Sequence, residues 1–199
     1  MRALRNRRKP YLLWKRVFDI VFSFLLLFFL ALPMLIIAFS ISVTSKGGVI
    51  FKQKRVGRGG KMFVCYKFRT MYSYAPSNRP TSEFADAQVY VTRVGSFLRK
   101  MSLDELPQLF NVLRGDMSLI GPRPLISEEV TVHKMRMESG AYNIRPGITG
   151  LAQISGRDML CDREKAELDA RYANSISFVS DIGIFFKTLR RVVAKEGIR

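Results

Sequence analysis

Histidine is nearly missing from this 199-residue chain, His133 being the only one, and cysteine occurs only as Cys65 and Cys161, far apart and without a C-x-x-C. A histidine-based triad, a zinc cluster and a disulfide scaffold are all disfavoured. Acid is scarce at the front: up to Ser82, 16 basic residues face one acid, Asp19, whereas from Glu83 onward 17 bases face 15 acids. The formal charge of +17 therefore belongs to the first half of the chain. At 22.8 kDa the length suits one domain with a real core and is too short for two large ones. With 48% hydrophobic residues, neither a disordered chain nor an ordinary soluble domain fits, and the expected surroundings are both apolar and anionic.

Between a basic start (Arg2, Arg5, Arg7, Arg8, Lys9, Lys15, Arg16) and Lys46 lies Ile20 to Val43, 24 residues without a charge. Roughly 20 apolar residues suffice to cross a bilayer as a helix. A signal peptide would have a shorter apolar region, of about 7–15 residues, and a small-residue cleavage site that this segment lacks. Pro33 falls mid-segment, where its missing N–H leaves the Phe29 carbonyl without its helical donor and its ring crowds that turn, so a break or kink is expected there. The downstream flank is also basic, with Lys46, Lys52, Lys54, Arg55, Arg58, Lys61, Lys67 and Arg69 and no acid. A spanning helix would place one basic cluster on the wrong side, whereas a helix that enters, breaks near Pro33 and leaves by the same face satisfies both. Asp19, with Lys15 and Arg16 four and three residues before it, reads as a charge pair on one helical face.

Gly47 to Met71 reads as a hairpin, β-prone at Val49 to Phe51 and Met62 to Tyr66, with Gly57-Arg58-Gly59-Gly60 as its turn. These glycines form neither G-x-G-x-x-G nor a P-loop. Tyr72 to Ala87 is a polar loop rich in proline and serine. Helical spacing recurs at Val94 to Lys100 and at Leu106 to Leu113, which Gly115 ends. Ile182 to Val193 mixes apolar residues with Lys187, Arg190 and Arg191, as either a helix lying on an anionic membrane face or a core helix with a wet side.

Ser102-Leu103-Asp104-Glu105-Leu106-Pro107 opens a helix. Ser102 and Glu105 have the spacing of a capping box; alternatively Asp104 is the cap, with Pro107 in the first turn. Two turn-rich segments follow, Ser118 to Pro124 and Arg145 to Arg157, each holding single arginines between rigid Pro and Gly positions. Arginine offers phosphate oxygens a planar fork, and arginines fixed on stiff loops suit a diphosphate.

Taken together the motifs resemble the bacterial sugar transferases, monotopic phosphoglycosyl transferases. The matching stretches are Lys15-Arg16-Val17-Phe18-Asp19 with Ser23, Tyr66-Lys67-Phe68-Arg69-Thr70-Met71, Ser102 to Leu113 with Gly115-Asp116-Met117-Ser118, Gly121-Pro122-Arg123-Pro124, Arg145 to Gly150, and Gly156-Arg157. The resemblance implies a helix-rich α+β monotopic membrane protein. Residues 1–16 would be a basic N-terminal segment, 17–45 a re-entrant membrane helix broken near Pro33, and 46–199 a catalytic domain with interfacial amphipathic helices and a small β-hairpin.

It also implies transfer of a sugar 1-phosphate from a UDP-sugar to polyprenol (undecaprenyl) phosphate, releasing UMP, at the cytoplasmic face of the bacterial inner membrane. Asp104 would be the nucleophile, with Glu105 beside it assisting Mg2+ binding or proton handling. Arg99, Arg123 and Arg145 are implied contacts for substrate phosphate, with Lys67, Arg69 and Arg157 further candidates. Anionic lipids are expected partners, nucleic acid is not, and a homodimer is compatible with the resemblance. Two positions depart from the pattern: Leu32 stands where many members have Ser before the membrane-helix proline, and Leu151 where many have Trp.

The chemistry is coherent without the family. An aspartate with an ordinary pKa of about 3.9 is ionised at neutral pH and needs no general base to attack phosphorus. Its obstacle is repulsion from the diphosphate, which a magnesium ion and arginines would relieve. Two rivals make different predictions. A membrane-anchored basic module for nucleic acid would tolerate Asp104→Asn and follow salt. A phosphohydrolase using the same dyad would release sugar phosphate into solution.

Overall fold

The computed structural model describes residues 2–75, 87–156 and 159–194, with side chains from residue 10 onward. The basic start and the apolar run form one helix, α1 (Arg2–Thr44), so no change of secondary structure marks a boundary between residues 16 and 17. Pro10 and Pro33 both lie inside it. Of the expected break or kink at Pro33, the break is corrected: the proline removes one backbone donor, yet helical backbone continues beyond it. Later turns quiet their hydroxyls internally, Ser40 Oγ and Thr44 Oγ1 donating to the carbonyls of Ile36 (2.8 Å) and Ser40 (2.6 Å).

Both halves of α1 pack on the rest of the chain. In the first half Lys15, Asp19 and Ser23 are buried. Arg16 donates to the carbonyls of Val112 (2.6 Å) and Leu113 (3.0 Å), and Asp19 accepts from the Leu119 amide at 3.2 Å. The expected Lys15–Asp19 pair is present at 3.8 Å, but Arg16 is occupied elsewhere. In the second half Ile41 is buried with Phe68 and Leu98, flanked by Met34, Ile37 and Ala38. Between them Phe24, Phe28, Phe29 and Leu32 are exposed, Phe28 and Phe29 by 70% and 71%.

The hairpin forms as read, β1 (Ile50–Val56) against β2 (Met62–Phe68), antiparallel, with Phe51 opposite Lys67, Gln53 opposite Cys65 and Arg55 opposite Phe63. Strand alternation puts these six on one face, and that is the face turned inward. The edge of β2 is closed by a side chain: Asn111 Nδ2 donates to the Val64 carbonyl (2.7 Å) and its Oδ1 accepts from the Tyr66 amide (3.0 Å). The amide thereby serves two ladder positions.

Thr92 caps α2 (Arg93–Lys100), its side chain accepting from the Gly95 amide. A Cβ at Gly95 would stand 2.0 Å from the Thr70 carbonyl oxygen, so only glycine lets α2 sit this close to the end of β2. Next come α3 (Gln108–Arg114), stopped by left-handed Gly115, and two segments read from sequence only as turns. These pair as a short parallel ladder, β3 (Ser118–Ile120) with β4 (Gly147–Thr149). The backbones interlock through glycine, since a Cβ at Gly147 would lie 2.0 Å from the Gly121 nitrogen. Between the strands lies α4 (Val130–Ser139), and after them come α5 (Leu151–Ser155), α6 (Asp162–Ser175) and α7 (Phe178–Ala194).

Helix α7 is tied to α1 by a buried polar knot. Asp181 accepts from Lys15 Nζ (2.7 Å), Tyr11 Oη (2.7 Å) and Tyr172 Oη (2.6 Å). Burial is the main reason the Tyr172 hydroxyl is held well above its ordinary pKa, so it stays a donor. On the other side of α7, Phe178, Val179, Phe186 and Val193 are exposed, and Phe185 meets Phe22 of α1 edge-on at 6.4 Å. Of the two readings of this helix, the exposure pattern follows the apolar-outward one.

Candidate active site

The dyad does not open a helix. Leu103–Glu105 form a single 3-10 turn, Ser102 makes no side-chain cap, and α3 begins only at Gln108. Neither capping arrangement is realised, because tertiary partners claim Glu105: its Oε1 accepts from Lys67 Nζ at 2.7 Å and from Arg123 at 3.4 Å. Ser102 has φ 55° and ψ 21°, the one described non-glycine residue in left-handed backbone. A side chain at such an angle is costly and persists where the surroundings enforce it.

Asp104 is partly exposed, and among the described residues its carboxylate accepts no hydrogen bond. Burial pushes its pKa up from the ordinary value and Glu105 adds to the rise, while Lys67, Arg99 and Arg123 pull it back. The result is an acid less solvated than a surface aspartate and within the field of three cations. Arg99 is positioned by its Nε donating to Thr70 Oγ1 at 2.9 Å.

The Arg123 loop is fixed from two sides. Arg136 donates to the Arg123 carbonyl (2.8 Å) and is itself ion-paired to buried Asp169. Arg55 donates to the Pro124 carbonyl at 3.2 Å. Arg55, Cys65, Lys67, Gln108 and Arg123 line one cleft. Arg55 and Gln108 were not among the residues singled out by sequence. The signal for Arg55 was the two-residue alternation of the hairpin, which puts it on the face of Lys67 once the register is known.

The structure thus brings Lys67, Arg99 and Arg123 to Asp104 and Glu105. Arg69 goes elsewhere: it donates to the carbonyls of Ser45 (2.7 Å) and Lys46 (2.8 Å), clamping the end of α1 to β2. Arg145 lines a different cavity, with its Nε on the Gly115 carbonyl at 2.8 Å. Arg157 lies outside the described residues, as does most of the 72–87 loop.

For magnesium, the donor set is Asp104 with Glu105. Mg2+ is held by one or two carboxylates together with waters and substrate phosphates, so two adjacent acids beside an open cleft fit it. No group of three or more His, Cys, Asp or Glu able to close a cage occurs among the described residues.

The family model described as bacterial sugar transferase matches residues 10–195. The chain belongs to the bacterial sugar transferase family and is a transferase. It is similar to an uncharacterized sugar transferase, EpsL, of Bacillus subtilis, 42% identical over 188 residues that cover 93% of this chain and 90% of that one. It is also similar to the undecaprenyl-phosphate galactose phosphotransferase of Salmonella typhimurium (40% identical, 92% of this chain) and the undecaprenyl-phosphate glucose phosphotransferase of Komagataeibacter xylinus (38%, 94% of this chain). Those two are longer, and the match spans 41% and 38% of their lengths.

Proposed function

We propose that this protein transfers a sugar 1-phosphate from a UDP-sugar to polyprenol phosphate, with Asp104 as a covalent nucleophile, as the first membrane step of glycan assembly. The observation that carries this reading is an Asp104 carboxylate that accepts no hydrogen bond among the described residues, lying in the field of Lys67, Arg99 and Arg123 beside a Glu105 already held by two cations. The names of the Salmonella and Komagataeibacter relatives support the acceptor and the reaction class.

In the first step an Asp104 oxygen attacks the β-phosphorus of the donor. The bond from that phosphorus to the bridging oxygen breaks, and UMP leaves with the electron pair. Lys67, Arg99 and Arg123 would hold the phosphate oxygens and balance charge on the leaving group. In the second step a phosphate oxygen of the lipid attacks the acyl phosphate, and Asp104 departs as a carboxylate. Glu105 and Asp104 would hold Mg2+, which when bound supplies charge neutralisation between carboxylate and diphosphate. Separating the steps spares the site from holding a soluble and a lipid substrate at once.

The exposed apolar residues of α1 and α7 support a membrane-associated reading. That both halves of α1 pack on the rest of the chain supports a re-entrant course, with the catalytic domain kept on one face, which we assign as the cytoplasmic one. The test is incubation with labelled UDP-sugar and mapping of the adduct by mass spectrometry. Label on Asp104, discharged by undecaprenyl phosphate with one UMP released per sugar transferred, is the expected result. A bare protein that still makes glycolipid overturns the covalent step, and sugar phosphate appearing in solution points to hydrolysis instead.

A further inference from the structure

A second cationic cavity shares no lining residue with the cleft at the dyad. Its charged walls are Lys15, Arg16 and Asp19 of α1, Arg58 of the hairpin turn and Arg145 ahead of β4. Its account of charge is lopsided. Lys15 is neutralised by Asp181, and Asp19 already accepts from the Leu119 amide, which leaves three guanidinium groups around one engaged carboxylate. Arg16 is anchored on the carbonyls of Val112 and Leu113, so it contributes field more than donors. Arg145 is fixed through Nε alone, and among the described residues its terminal nitrogens, like the whole Arg58 guanidinium, have no protein acceptor. Burial, with repulsion from Arg16 and Arg58, disfavours the charged form of Arg145. An anion with several oxygens would satisfy these donors.

The remaining lining says what kind of anion. Leu12, Ile144 and Ile176 are apolar. On the same turns of α1, Trp14 is 73% exposed and Leu13, Val17 and Phe18 are exposed beside it. Where the cavity meets α1, the exposed apolar shoulder of that helix begins, the pairing of basic and apolar groups that a lipid headgroup and its chains would match.

We infer that this cavity binds the phosphate of a membrane lipid, with Arg58 and Arg145 as the donors, at a place separate from the dyad. The inference does not depend on the transfer reaction, because binding is read without turnover. The experiment uses the full chain in neutral detergent, titrated calorimetrically with geranyl phosphate, dihexanoyl phosphatidylglycerol and inorganic phosphate. Arg58→Gln is the informative variant, since Arg58 is exposed on a turn, and its thermal transition should match wild type.

Arg58→Gln should weaken lipid phosphate binding about tenfold, as expected for loss of a charge-assisted contact, and Arg58→Lys should recover part of it. Lys67→Gln, at the dyad cleft, should leave the part of the binding that depends on Arg58 unchanged. A preference for geranyl phosphate identifies a phosphomonoester lipid as the occupant, and equal binding of the diester identifies a bulk headgroup; both support the site. The inference is overturned if Arg58→Gln binds like wild type, if the loss follows Lys67→Gln instead, or if inorganic phosphate binds as tightly as either lipid.

Discussion

Ser102 and Asp104 show how a site can be kept at the expense of local comfort. Replacing Ser102 with glycine should be neutral to stabilising, because left-handed backbone suits glycine, whereas Ser102→Val should cost about 1–3 kcal/mol of stability in denaturant unfolding. The raised pKa of Asp104 has a sign that can be followed through. The folded state holds this proton more tightly than the unfolded one, so the contribution to stability is fully present below the unfolded value near 3.8 and is lost as pH rises through the folded value. At neutral pH the ionised carboxylate is a net cost. Asp104→Asn should therefore melt at a higher temperature than wild type at pH 7.5, the gap closing toward pH 4, while UMP release is abolished. For the same reason the acid limb of the wild-type rate profile should lie above that of an ordinary aspartate. From sequence, the motifs point to Asp104 and Glu105 with Lys67, Arg99 and Arg123, and the fold brings these five into one neighbourhood. The carbonyl contacts of Arg69 with Ser45 and Lys46, and of Arg145 with Gly115, were not legible, because nothing in the flanking residues Phe68, Thr70, Ile144 and Pro146 points to partners that only the fold brings near.

Among the elements, the hairpin, α2, the stop of α3 at Gly115 and the apolar-rich α7 could be read locally, from alternation, helical spacing and turn residues. The β3–β4 ladder could not, since each strand is three residues long and exists only through the other. Its dependence on two bare glycines gives a sharp expectation. Gly147→Ala should destabilise the protein by about 1–3 kcal/mol, by overpacking, and should lower turnover, because Gly147 and Gly121 hold the Arg123 loop in place. Helix α1 is the element where sequence reasoning was half right. Of the break or kink expected at the proline, no break occurs, because the loss of one hydrogen bond is absorbed within a long helix. Its course can be checked with single cysteines at Leu12 and Ser45 in a cysteine-free background. Both should react from the cytoplasmic side with an impermeant maleimide, whereas a spanning helix would shield one of them.

At the scale of the whole molecule, charge and apolar surface are arranged together. The basic front half and the exposed aromatics of α1 and α7 fall on elements that touch each other through Phe22 and Phe185. Binding to vesicles containing phosphatidylglycerol should accordingly weaken with salt yet retain a salt-resistant part, read by sedimentation at rising ionic strength. Cohesion across the molecule rests on the knot at Asp181. Removing one member of a buried, hydrogen-bonded ion pair costs about 3–5 kcal/mol, so Asp181→Ala should lower the unfolding midpoint markedly, while exposed Arg163→Ala should not.

The partners in that knot, Lys15 and Asp181, are separated by 166 positions in the chain. During translation the lysine leaves the ribosome well ahead of its carboxylate partner. Until then only the longer pairing with Asp19 inside the same helix offsets that ammonium, and the close contact that locks α1 to α7 waits for synthesis of α7.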